Sequence, residues 1–158
     1  MRASAVLSLV LLFAACATKD LQAPQALLGC WSISEVETYR EDGTRSTAYG
    51  ECSRFYTERQ VFVTCLGPNA NQLSTIDFEY KLESPNSYMQ YVIGSSHPAD
   101  TATYSKPHEF LIKENMLSVV SYPVVTSKVP GRTVTKMVAR FMRDRTQGEQ
   151  PSQCRPHK

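Results

Sequence analysis

The chain has few of the residues and motifs on which enzyme chemistry usually depends. Its 158 residues include three histidines and one tryptophan, and no Cys-x-x-Cys or His-x-x-x-His pair indicates a metal site. It also has no glycine-rich phosphate loop and no strand–turn–helix nucleophile motif. Each histidine lies beside a proline, in or near a predicted loop: His97, His108 and His157. We therefore predict that the protein is not an enzyme and that it holds no metal and no dissociable cofactor.

The charge is nearly balanced, which argues against nucleic acid as a partner. Lys and Arg number 17 and Asp and Glu 15, for a net charge of +2. Loss of Arg2 with an export signal would leave about +1, too little for binding through bulk electrostatics. The most basic stretch, from Lys136 to Arg145, is interrupted by apolar residues and by Asp144. This pattern is typical of a strand and its end.

The N-terminus has the pattern of an export signal. Met1-Arg2 supplies a positive charge, Ala5 to Phe13 is apolar, and the small residues Ala14-Ala15 precede Cys16. The apolar run is too short to span a bilayer as a helix. The stretch resembles a bacterial lipoprotein signal, whose cysteine receives a diacylglycerol and, after cleavage, an N-acyl chain. The alternative is an ordinary secretory signal in which Cys16 is incidental.

This resemblance implies a lipid-anchored protein of the bacterial cell envelope. We expect a lipoprotein signal peptide at 1–15, a lipidated tether at 16–26, one folded domain at 27–145 and a polar tail at 146–158. The acyl chains on Cys16 would bury enough methylene groups for stable anchoring. Ala17 follows the cysteine, and by the sorting rule of enteric lipoproteins this implies the outer membrane, facing the periplasm. The membrane is then one partner of the chain.

The domain has the pattern of an all-β protein. Eight strands are predicted: Leu28–Tyr39, Thr44–Thr57, Gln60–Leu66, Gln72–Glu83, Ser87–Gly94, Ala102–Lys113, Met116–Thr126 and Arg132–Arg143. The fourth alternates most cleanly, with Ile76, Phe78, Tyr80 and Leu82 on one face and charged residues on the other. Short links between successive strands favour a single eight-stranded antiparallel up-and-down barrel, because closure removes exposed sheet edges. The alternative is a two-sheet β-sandwich.

Gly29-Cys30-Trp31 opens the first strand and has the Gly-x-Trp pattern that starts lipocalin domains. The resemblance to lipocalins and lipocalin-like bacterial lipoproteins implies that Trp31 closes the barrel floor and that a late-strand arginine packs over its ring. Arg140 and Arg143 are the candidates, and Arg140 is preferred. A guanidinium over an indole face forms a cation–π contact.

Four cysteines remain once Cys16 is lipidated, and an even number in an exported domain predicts two disulfides. Cys52 and Cys65 lie almost symmetrically about a turn near Glu58-Arg59, so they should face each other on one hairpin. Cys30 is then left to pair with Cys154. A metal site is the alternative, although these cysteines have no Cys-x-x-Cys spacing.

Two functions fit this architecture. In the first, the barrel binds a small apolar or amphipathic ligand, and inward side chains of the fourth and fifth strands line the site: Phe78, Tyr80, Met89 and Tyr91. The other tyrosines also suit a cavity wall. In the second, the barrel is filled and acts through its rim on an envelope protein, as an enzyme inhibitor or an assembly factor. An open apolar interior would favour the ligand.

Overall fold

The computed structural model describes residues 21–66, 73–96, 105–122, 129–143 and 154. Nine antiparallel strands follow one another in the described parts of the chain: β1 (Gly29–Arg40), β2 (Arg45–Ala48), β3 (Cys52–Tyr56), β4 (Gln60–Leu66), β5 (Leu73–Ser84), β6 (Ser87–Ser95), β7 (Ser105–Lys113), β8 (Met116–Ser121) and β9 (Val134–Arg143). The predicted export signal and Cys16 lie outside the described residues. No helix among the described residues is long and apolar enough to cross a membrane.

The strands form one closed barrel. Neighbours in sequence pair from β3 through to β9, and β9 pairs back onto β1. The other edge of β1 pairs with β3 near its start and with β2 near its end. The strands β2 and β3 therefore occupy one position of the barrel wall, which has eight positions in all. The predicted eight-stranded barrel is confirmed, and its closure excludes the open sandwich.

Turn chemistry explains several of the short links. Asp42 and Gly43 connect β1 to β2, and Gly43 has a φ of 80°, which glycine adopts without strain. The Asp42 carboxylate accepts hydrogen bonds from the Thr44 backbone N–H at 2.9 Å and from its hydroxyl at 2.6 Å. These bonds lower the pKa of Asp42 below its ordinary value.

The interior of one barrel end is tightly packed. Strand residues that face inward here are almost fully buried, and Leu27, just before β1, is buried with them. The largest members of this floor cluster are Trp31, Tyr56, Tyr88 and Phe141. The inward positions of β5 are as predicted, since Phe78, Tyr80 and Leu82 face this core while Glu79, Lys81 and Glu83 are exposed.

The predicted orientation of β6 is wrong. Leu82 pairs with Tyr88, and Tyr80 pairs with Gln90, so Tyr88, Gln90 and Val92 face inward. Met89 is opposite the exposed Lys81 and lies on the outer face. Tyr91 is 43% exposed and lies on the same face. The prediction failed because both faces of β6 carry apolar residues, and the inner face includes a polar glutamine.

Both predicted disulfides are present. Cys52 and Cys65 are bonded across the β3–β4 hairpin, where they are directly opposite each other. Cys30 in β1 is bonded to Cys154, which is buried although it comes eleven residues after the last strand ends. This bond holds Cys154 against the first strand. The predicted polar tail is otherwise outside the described residues.

Candidate ligand-binding site

The floor of the barrel is closed by Trp31, as the resemblance to lipocalins implied. Its indole Nε1 donates a hydrogen bond to the Leu27 carbonyl oxygen at 2.8 Å. The guanidinium of Arg143 lies over the indole ring, 4.2 Å from its centre. Arg143 also donates to the carbonyl oxygens of Ala26 and Leu28. The segment before β1 is thereby fastened across this end of the barrel.

The preference for Arg140 as the floor arginine is wrong. Arg140 lies on the outer face, where it forms ion pairs with Glu35 and Glu37. The physical reason is strand alternation: residues 140 and 143 point to opposite faces, and Phe141, two before Arg143, is in the core. A β-bulge at Ser34 puts Glu35 opposite Arg140. Hydrogen bonds from Tyr39 and Arg140 lower the pKa of Glu37.

The opposite half of the barrel interior, here called the mouth half, is less closely packed. Its apolar inward side chains are only partly buried. Val92 pairs with Phe78, Ile76 pairs with Val63, and Val36 pairs with Ala139. Phe78, Val63 and Ala139 pack against the floor cluster. Because directly paired residues share a face, their partners Val92, Ile76 and Val36 also point inward. The accessible surface of these three partners therefore belongs to the barrel interior.

Polar side chains also lie together in the barrel interior, and two of them, Tyr56 and Tyr88, belong to the floor cluster. We call this set the interior polar cluster: Arg54, Tyr56, Tyr88, Gln90 and His108. Arg54 donates to the Tyr56 hydroxyl at 3.2 Å, and the Tyr56 and Tyr88 hydroxyls are 3.1 Å apart. The Arg54 guanidinium also packs over the Phe141 ring, 5.0 Å from its centre. One hydrogen-bonded chain therefore joins β3 to β6 across the interior.

His108 is buried without a described hydrogen-bond partner on either ring nitrogen. It is 5% exposed and stacks on Tyr88, with ring centres 5.1 Å apart. Burial, together with the positive charges of Arg54 and Lys106, lowers the pKa of His108 to about 3. The imidazole is therefore neutral at neutral pH. The buried Gln90 carbonyl oxygen likewise has no partner among the described residues.

The phenols of Tyr88 and of its neighbour Tyr80 stay protonated. Burial raises the pKa of Tyr88 and of Tyr80 well above the usual range. Tyr80 donates its proton to the Thr57 carbonyl oxygen at 2.6 Å. If Tyr56 donates to Tyr88, the Tyr88 hydroxyl proton can be offered to a bound molecule. The cluster thus presents hydrogen-bond donors within a largely apolar barrel.

Sequence reasoning found only part of this site. Phe78 and Tyr80 face the interior as predicted, whereas Met89 and Tyr91 do not. The sequence argument missed Arg54, Gln90 and His108. The alternation of Cys52, Arg54 and Tyr56 could have revealed Arg54, because Cys52 and Tyr56 share its face. His108 was expected in or near a loop beside Pro107, although the predicted strand Ala102–Lys113 contains both residues. In the structure Pro107 lies on the outer side of β7 without interrupting it.

The described residues contain no group of three or more His, Cys, Asp or Glu side chains placed to hold a metal ion. The four cysteines of the domain are used in the two disulfides.

Comparisons with known proteins give structural neighbours only. No protein-family model and no curated protein matches the sequence. A lipocalin-like protein from Bacteroides uniformis ATCC 8492 is similar in structure, with 13% identity and a TM-score of 0.49, over 75% of this chain and 99% of that one. A redesigned β-barrel is also similar, with 12% identity and a TM-score of 0.41, over 77% of this chain and 95% of that one.

Proposed function

We propose that the barrel binds a small amphipathic molecule in its mouth half, with the polar end of that molecule at the interior polar cluster. The observation that carries this proposal is the partial accessibility of inward apolar side chains, Val36, Ile76 and Val92 among them. A barrel filled by its own side chains would bury these residues as completely as the floor cluster. The mouth half therefore favours a ligand over the alternative of a filled barrel acting through its rim.

The unpartnered polar atoms of His108 and Gln90 support the same proposal. A buried polar group without a hydrogen bond costs roughly 1–3 kcal/mol. Two ring nitrogens and one amide oxygen are in this state among the described residues of the cluster. A ligand with polar atoms at one end would satisfy them, and its apolar part would cover the aliphatic side chains nearer the mouth.

Binding of a neutral fluorescent probe, N-phenyl-1-naphthylamine, tests the proposal. The purified chain should bind the probe with increased fluorescence, and Val92→Phe should weaken binding several-fold because the larger ring occupies the mouth half. The matched control is Ile93→Phe, on the same strand but 52% exposed, which should bind as the unmodified chain does. An unmodified chain that binds no probe would support the filled barrel and contradict the proposal.

We further propose that the chain is a lipid-anchored protein of the bacterial cell envelope, at the outer membrane facing the periplasm. The support is the apolar run from Ala5 to Phe13 followed by Ala14-Ala15-Cys16. The two disulfides are consistent with an exported, oxidising location. The mass of the N-terminal peptide and a Cys16→Ser variant provide the test.

A further inference from the structure

Within the described strands the carboxylates of the barrel wall are confined to the outer face, which also carries cations such as Lys81 and Arg140. Six strand positions in the described residues carry a carboxylate, and all six point outward: Glu35, Glu37, Asp77, Glu79, Glu83 and Glu109. Arg54 and Lys106 point inward, since Arg54 pairs with the core residue Val63 and Lys106 pairs with Gln90. Within the described strands, the interior is therefore cationic and the exterior carries the acids.

Arg54 has an unusual environment for a guanidinium. Its counterpart on the outer face, Arg140, forms ion pairs with two glutamates. No carboxylate of the described residues forms an ion pair with Arg54, which donates a hydrogen bond to the Tyr56 hydroxyl. A guanidinium removed from water without a counter-charge is costly, and an anion at the same place would offset that cost.

The surroundings of Arg54 provide further donors. Tyr56 links the guanidinium to Tyr88, and His108 stacks on the Tyr88 ring. A neutral imidazole carries one N–H donor, and neither His108 nitrogen has a partner among the described residues. Arg54 is directly opposite Trp31 and Val63, so its side chain lies on the inner face of the barrel. The planar guanidinium matches the two oxygens of a carboxylate.

We infer that the ligand is a carboxylate amphiphile, such as a long-chain fatty acid, whose head group lies at Arg54 with the Tyr88 hydroxyl and His108 beside it. Its apolar chain then extends past Ile76 and Val92 toward the mouth. This inference rests on the proposed function, because it requires the mouth half to admit a ligand. It adds the charge of the head group and the orientation of the molecule, with the head deep and the chain outward.

Competition against the neutral probe tests the head group directly. Palmitate and hexadecanol have chains of the same length and differ in their polar end. The unmodified chain should bind palmitate at least about tenfold more tightly than hexadecanol, as expected for a hydrogen bond to a charged group. Hexadecyl phosphate serves as the second anion, because a guanidinium also pairs with phosphate, and tighter binding of it than of palmitate would contradict the carboxylate assignment.

Variants then assign the preference to one residue. Arg54→Met keeps an apolar stem of similar length and should reduce the palmitate-to-hexadecanol ratio to about one, while Arg54→Lys should retain part of it. The matched control, Arg140→Met, removes an arginine from the outer face and should leave the ratio as in the unmodified chain. Thermal unfolding of each variant verifies that the barrel is intact. The comparison of palmitate with hexadecanol in the unmodified chain does not depend on the folding of any variant.

The outcomes separate this inference from the proposed function. If the probe binds but palmitate and hexadecanol compete equally, the carboxylate assignment is wrong and the ligand-binding proposal stands. If the probe and both amphiphiles fail to bind, the two proposals fall together. A ratio that persists in Arg54→Met, or tighter binding of the phosphate, would also overturn the assignment of a carboxylate to Arg54.

Discussion

His108 shows how one buried side chain links the candidate site to stability. Its ring nitrogens have no described partner, and its pKa falls to about 3 through burial and the nearby cations Arg54 and Lys106. In the unfolded chain a histidine titrates near pH 6.5. As the pH falls below this value, the unfolded state binds a proton that the folded state does not. The contribution of His108 to stability is therefore complete above about pH 6.5 and is lost as the pH falls toward 3.

We predict that His108→Phe reduces the acid sensitivity of the fold. At pH 5 the proton taken up by the unfolded chain costs the unmodified protein about 2 kcal/mol relative to neutral pH, and the variant avoids this cost. Phenylalanine preserves a flat ring against Tyr88. Denaturant unfolding at pH 7, 6 and 5 measures the difference between the two proteins. An identical pH dependence for both would show that His108 is not held neutral in the folded state.

Arg140 and Arg143 show where sequence reasoning at the residue scale ends. The Gly-x-Trp pattern of the sequence predicted that a late-strand arginine covers Trp31, and Arg143 does so. The choice between the two arginines depended on which face of β9 is inward. Both faces of β9 mix apolar and basic residues, so hydrophobic alternation did not decide it.

At the scale of the strand, prediction succeeded where one face is polar and failed where both are mixed. β5 carries four charged residues on its outer face, and its inward residues were identified correctly. β6 has Met89, Tyr91 and Ile93 outside and Tyr88, Gln90 and Val92 inside. Because the inner face of β6 contributes a polar residue to the site, a rule that places apolar residues inside selected the wrong face.

The two disulfides act on different scales of structure. Cys52 and Cys65 are 13 residues apart on one hairpin, whereas Cys30 and Cys154 are 124 residues apart and join the two ends of the domain. In the chain-entropy model a bond that closes a longer loop removes more freedom from the unfolded chain. The expected stabilisation is roughly 3 kcal/mol for the first bond and roughly 5 kcal/mol for the second.

We therefore predict that the double variant Cys30→Ala/Cys154→Ala loses more stability than Cys52→Ala/Cys65→Ala. Each variant serves as the other's control, because both remove one disulfide and two sulfur atoms. Denaturant unfolding under non-reducing conditions gives the two free energies. An equal loss, or a larger loss for the hairpin pair, would contradict the entropic account and would indicate that local packing near Cys52 dominates.

At the scale of the whole molecule, the eight-position barrel was predictable and its interior was not. The eight positions of the barrel wall, their order and the closed sheet followed from turn signals and alternation in sequence, although the predicted second strand is divided into β2 and β3. The interior polar cluster brings together residues from β3, β6 and β7, which are far apart in the chain. Their meeting depends on how β3, β6 and β7 are arranged around the barrel, and the pattern within any one strand does not give that arrangement. The site residues therefore emerged only from the paired strands.

A lipid anchor would place this interior beside a membrane, the natural source of amphipathic carboxylates. We predict that the N-terminal peptide of the protein from its own host begins at Cys16 and carries the mass of a diacylglycerol and an N-acyl chain. Cys16→Ser should lose both the added mass and the cleavage before residue 16. The barrel begins more than ten residues later, at Gly29, so the variant should keep the thermal unfolding of the unmodified domain.

An N-terminal peptide that is cleaved after Ala15 or Ala17 but bears no lipid would establish an ordinary secretory signal instead. The ligand would then have to reach the barrel through water, and the shelter that the barrel interior gives an acyl chain would matter more.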